Sequence, residues 1–169
     1  MCGICGQFRF DGEIVSTKSL DDMMSKLAKR GPDSKGKWHE GKVGFGHQRL
    51  SIIDLSNLGS QPMVDDLLKL TLVFNGTIYN YKLLRAQLIS KGYVFFSNSD
   101  TEIIIKAYHF WGEDCVNHLD GMFAFAIWDR SSQQLFVARD RMGIKPLYFN
   151  ITSSVYLCIK LTGSSDSKA

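Results

Sequence analysis

The chain has 169 residues, 44% of them hydrophobic and 22% charged, with a formal net charge of +3. This length suits one domain with a real hydrophobic core, and the composition is that of a globular protein rather than a disordered or fibrous one. The basic residues are scattered, and no apolar stretch approaches the roughly 20 residues of a membrane helix, so nucleic acid and membrane are set aside as partners.

Ile4, Phe8 and Phe10 recur with a period of two around Gly3 and Gly6, which predicts a first strand from Cys2 to Phe10. Ser19 and Asp22 resemble a capping box, and Leu20, Met23, Met24, Leu27 and Ala28 then repeat at helical spacing until Gly31 and Pro32. Between Lys42 and Arg49, Val43, Phe45, His47 and Arg49 share one strand face, while Gly44 and Gly46 leave the other open to close approach. A strand is expected from Leu70 to Phe74, with Asn75 and Gly76 after it as a turn.

Leu83, Leu84 and Leu88 predict a helix over Tyr81 to Lys91, and Ser99 with Glu102 reads as a capping box opening a neighbouring helix through Trp111. Alternation returns in Phe123 to Asp129 and in Leu135 to Asp140, joined by the polar turn Arg130 to Gln133. Strands at the start, middle and end, with helices gathered between them, argue for an α+β layered domain without internal repeats. A domain over 1–154 is expected, followed by a divergent, frayed tail over 155–169.

Four cysteines, Cys2, Cys5, Cys115 and Cys158, are too few and too dispersed for a disulfide framework. This fits a reducing compartment, and the expected location is the cytoplasm. Cys2 and Cys5 form a CxxC, but zinc needs two more suitably spaced ligands and a redox pair normally opens an internal helix, so no metal is expected. Cys2 gains a different meaning once Met1 is removed. Thiol and free α-amine then lie on one residue, and the amine can take up the thiol proton directly or through water.

Eight motifs occur in order: MCGICG at the start, RGPD at Arg30 to Asp33, GHQRLSIIDL at Gly46 to Leu55, QPM at Gln61 to Met63, FNG at Phe74 to Gly76, SDTE at Ser99 to Glu102, GMFAFAIWD at Gly121 to Asp129, and ARDRMGIKPLY at Ala138 to Tyr148. Together they resemble the class II glutamine amidotransferase domain of the asparagine synthetase family, from Met1 to about Phe149. The resemblance implies the four-layer α/β/β/α sandwich of N-terminal-nucleophile hydrolases, with Cys2 attacking the side-chain amide of glutamine. Asn75 and Gly76 match the oxyanion hole, whose donors stabilise the tetrahedral intermediate.

Arg49 matches the residue that grips the substrate α-carboxylate, which suits a guanidinium able to donate two parallel hydrogen bonds. Backbone groups of Leu50, Ser51, Ile52 and Ile53 complete the expected pocket. Asp100 matches the carboxylate that holds the substrate ammonium, and locally it also suits the first turn of a helix. Arg30 and Asp33 help build the pocket wall in the family and stay outside the catalytic set. One departure concerns Thr77, which stands where ordinary synthetases carry glutamate in FNGEIYN. Threonine can hydrogen-bond but brings no charge, and with the MCGICGQFRFDG opening it resembles the amidotransferases that make N-acetylglutaminylglutamine amide.

Members of this family carry a second domain in which ATP activates an acceptor carboxylate that ammonia attacks; ATP and magnesium are expected only there. TGSSDS at Thr162 to Ser167 imitates its SGGxDS loop but lacks the second glycine and is read as coincidence. The pattern fades after about Ser154, as in a truncated or frameshifted product, and the uncovered face would favour a homodimer or a partner synthetase domain. The competing reading is an inert remnant that binds an amino acid or a partner without turning it over.

Overall fold

The computed structural model describes residues 2–151 in full and residues 156–160 as backbone. In chain order it contains β1 (Gly3–Arg9), α1 (Thr17–Leu27), β2 (Ser34–Glu40), β3 (Val43–Arg49), β4 (Met63–Asp65), β5 (Leu70–Ile78), α2 (Tyr81–Ser90), α3 (Asp100–Trp111), β6 (Gly121–Asp129), β7 (Gln134–Arg139), β8 (Tyr148–Asn150) and β9 (Tyr156–Lys160). One sheet has the order β2-β3-β1-β9-β8 and the other β4-β5-β6-β7, with antiparallel neighbours throughout.

Strand alternation sorts the apolar residues into layers. Ile4, Val43 and Phe45 of the first sheet meet Val73, Ala126 and Trp128 of the second. The opposite parity of β5 and β6 sends Leu72, Phe74, Phe125 and Ile127 against Leu84 and Leu88 of α2 and Ile103 to Ile105 of α3. On the far side, Met24 and Leu27 of α1 pack over Cys5. The result is the expected four-layer α/β/β/α sandwich, and each large apolar side chain buried in it contributes about 1.5–3 kcal/mol.

Glycines in β3 permit the close seat of α1. A Cβ on Gly44 would stand 2.6 Å from Leu20 Cδ1, and one on Gly46 would stand 2.6 Å from Met24 Cγ. The cap of α1 lies earlier than expected: the Ser16 hydroxyl accepts from Ser19 N, so the Ser19–Asp22 pair falls inside the first turns. At α3, Ser99 does cap, accepting from Thr101 N at 3.1 Å. Glu102 does not close the box; its carboxylate accepts from Phe96 N, Ser97 N and Ser97 Oγ.

Three elements differ from what local sequence rules suggest. Asn75 and Gly76 do not form a turn but continue β5, opposite Ala124 and Phe123 of β6. A Cβ on Gly76 would stand 2.2 Å from Met122 O, so close strand approach rather than turn geometry requires the glycine. β2 was not expected, because SKGKWHE lacks apolar alternation; it is an exposed edge strand whose lysines suit that position. Residues 156–160, placed in the tail by sequence, form β9 between β1 and β8, so the sheet reaches past residue 154. The TGSSDS segment lies outside the described residues.

Candidate active site

β1 begins at Gly3, which places Cys2 just ahead of its first residue at one end of the layer between the sheets. The odd spacing of the CxxC matters here. Cys5 faces the α1 side, where its thiol donates to Gly46 O at 3.7 Å, whereas Cys2 Sγ lies 3.3 Å from Leu50 N and 3.5 Å from Leu50 O, just past the end of β3.

A cavity of about 160 Å³ opens at this place. It is lined by the residues expected to react with or bind glutamine, Cys2, Arg49, Leu50, Ser51, Ile52, Ile53, Asn75, Gly76, Thr77 and Asp100, whereas Arg30 and Asp33, expected in the wall, are not among the lining residues. Strand parity explains much of the convergence, since Arg49 of β3 and Asn75 of β5 both continue faces directed between the sheets. Asn75 is 2% exposed, and its Nδ2 has no hydrogen-bond partner among the described residues. A buried amide donor is seldom left this way, so a donor at the cavity wall stands ready for an acceptor.

Arg49 is also buried, and it is not a surface ion pair. Nη1 donates to Ser56 O at 3.0 Å and Nη2 donates to Asp54 O, which engages two of the five guanidinium N–H donors. The loop it holds is fixed again by Asp54, whose carboxylate accepts from Ser56 N and Asn98 N. The Ser56 hydroxyl and these N–H groups hold the Asp54 carboxyl below its ordinary value. Asp33 adds a third tie by accepting from Ser51 N at 2.7 Å.

Asp100 sits at the start of α3, 4% exposed, and accepts from Ile78 N at 3.0 Å. Burial raises its pKa although backbone and Ser99 donors oppose the shift. No ion pair involves it among the described residues, so an arriving cation would find an unneutralised buried carboxyl.

Sequence reasoning missed several residues of the wall. Gln61 joins β5 to α3: Oε1 accepts from Phe74 N at 2.6 Å and Nε2 donates to Thr101 Oγ1 at 3.3 Å. Asp54, Ser99, Thr101 and Met122 line the cavity as well. So does Lys145, which is 4% exposed. Its position inside ARDRMGIKPLY, five residues after Asp140 in a loop punctuated by Gly143 and Pro146, was the available signal. The described residues contain no cluster of acidic, His and Cys side chains that could hold a metal, and no helix is long and apolar enough to cross a membrane.

Two packed sheets between helical layers, with a cysteine one residue ahead of the first strand and beside a cavity, define the N-terminal-nucleophile hydrolase fold. Over residues 1–167 the sequence matches the glutamine amidotransferase domain, and the chain belongs to that family. It is 43% identical over 160 residues to asparagine synthetase [glutamine-hydrolyzing] 3 of Bacillus subtilis, covering 93% of this chain and 26% of the relative. It is 41% identical over 163 residues to amidase chry2 of Gibberella zeae, covering 89% of this chain and 24% of the relative. The chain thus spans about a quarter of the length of these curated relatives.

Among solved structures, the fold is similar to the glutamine phosphoribosylpyrophosphate amidotransferase of B. subtilis, with a TM-score of 0.75 at 21% identity, covering 94% of this chain and 41% of that one. A structure described as the allosteric regulatory enzyme of purine biosynthesis matches with a TM-score of 0.73 at 20% identity, covering 94% of this chain and 42% of that one. The chain is therefore a glutamine amidotransferase domain related to asparagine synthetases.

Proposed function

We propose that this domain hydrolyses the side-chain amide of glutamine, with Cys2 as nucleophile after Met1 is removed. The observation that carries the reading is the unpartnered Nδ2 of Asn75 in the wall of the cavity that Cys2 also lines. The Cys2 α-amine takes the thiol proton, and the sulfur bonds to the amide carbon. Asn75 Nδ2 and the Gly76 N–H donate to the oxyanion; removing one such donor costs roughly 3 kcal/mol of transition-state stabilisation.

Collapse of the intermediate breaks the C–N bond, the protonated amine returns its proton to the leaving nitrogen, and ammonia departs. Water then cleaves the thioester to give glutamate and restores the thiol. Arg49 meets the substrate α-carboxylate with its remaining donors, Asp100 meets the ammonium, and backbone groups of Leu50 to Ile53 close the pocket. Thr77 contributes a hydroxyl but no charge to the ammonium site. The released ammonia serves an ATP-dependent amide-forming reaction on a synthetase domain, to which ATP and magnesium belong.

The decisive assay uses chain shown by mass spectrometry to begin at Cys2. Slow release of ammonia and glutamate from glutamine, abolished by Cys2→Ala, is expected. Ammonia no greater than that from Cys2→Ala defeats the reading, and glutamine binding by calorimetry without turnover would instead identify an inert binder, the alternative that Thr77 favours.

A further inference from the structure

Lys145 has no part in the chemistry just described, yet it occupies the same cavity wall as Cys2 and is 4% exposed. A buried lysine is uncommon, because its ammonium gives up hydration that hydrogen-bond acceptors and nearby negative charge must replace. The loop that delivers it is built with care. Asp140 accepts from Phe123 N at 3.2 Å, Ile144 N at 2.8 Å and Lys145 N at 2.9 Å. The first of these bonds pegs the loop to β6, and the other two fix the backbone at Ile144 and Lys145 beside the pocket.

The electrostatic surroundings define what the ammonium can serve. Burial, and then the neighbouring Arg30 guanidinium, lower its pKa below the ordinary lysine value, a shift that negative charge on the Cys2 sulfur and on Asp140 offsets only in part. Asp140 already accepts three backbone donors, so the charge that varies during a reaction is the one on sulfur. We infer that Lys145 is a positioning residue for the glutaminase reaction, its ammonium stabilising the negative charge that Cys2 sulfur carries before attack and again when the thioester is cleaved.

This rests on reading Cys2 as the nucleophile, and its test does not depend on glutamine turnover. Chain beginning at Cys2 is alkylated at low ionic strength with anionic iodoacetate and, separately, with neutral iodoacetamide. The rate at Cys2 is read from the N-terminal peptide by mass spectrometry, which distinguishes it from the other cysteines. A nearby cation changes the thiolate fraction equally for both reagents but attracts only the anionic one, so the ratio of the two rates measures local charge at the sulfur.

The wild-type ratio should exceed that of free cysteine, Lys145→Met should lower it by about tenfold, and Lys145→Arg should hold it within about twofold. Equal ratios in wild type and Lys145→Met overturn the inference. So does an equal fall in Lys145→Arg, which marks a packing role, and so does a wild-type ratio no higher than that of free cysteine, a result that needs no variant to fold. Turnover of glutamine measured alongside separates the two readings: absent turnover with a charge-sensitive ratio removes the glutaminase reading and leaves the cation beside Cys2 standing.

Discussion

His47 lies on β3 between the sheets, fully buried, with neither ring nitrogen in a hydrogen bond of good geometry. Burial lowers its pKa from 6.5 to about 3, against a weak polar interaction with the Phe74 backbone. Between those two values the unfolded chain carries a proton that the folded chain refuses. Stability is therefore full above about pH 6.5 and falls as the pH drops, by about 1.4 kcal/mol per unit until about pH 3. At about pH 5 the loss is roughly 2 kcal/mol, a large share of a typical 5–15 kcal/mol total.

The measurement is urea unfolding followed by tryptophan fluorescence at about pH 7.5 and about pH 5, in wild type and His47→Leu, which cannot titrate. With an m-value of about 2 kcal/mol per molar, the wild-type midpoint should fall by about 1 M more than that of the variant. Other titrating groups, including Asp100 with its raised pKa, are common to both proteins and cancel in the comparison. Parallel pH dependence in the two would refute the assignment of His47 as a buried neutral imidazole.

Asn75→Ala should leave the fold intact and lower kcat for glutamine hydrolysis by roughly 10²–10³-fold with a smaller effect on KM, measured by steady-state ammonia release. Gly76→Ala should lower both stability and activity, because the added Cβ collides with backbone at Met122 O and Phe123 Cα; thermal melting reads the loss. Lys106 donates to Asp65 Oδ2 at 2.6 Å with both side chains buried, so Lys106→Ala strands a carboxylate and should destabilise by about 3–5 kcal/mol, while replacing both partners by apolar residues should recover much of it.

Much of the architecture follows from sequence alone because strand and helix periods are local. Val43, Phe45, His47 and Arg49 at spacing two declare one face of β3, and Leu84 with Leu88 declares the buried side of α2. The ordered motifs likewise named Cys2, Arg49, Asn75, Gly76, Thr77 and Asp100, all of which line one cavity. What the sequence could not decide depends on partners distant along the chain. Asn-Gly is a good turn by local rules, yet pairing with β6 keeps it extended, and β2 exists because β3 lies beside it. Lys145 reached the site through a loop tied down by Asp140, a placement set by three-dimensional hydrogen bonding that no local pattern of charge or hydropathy encodes.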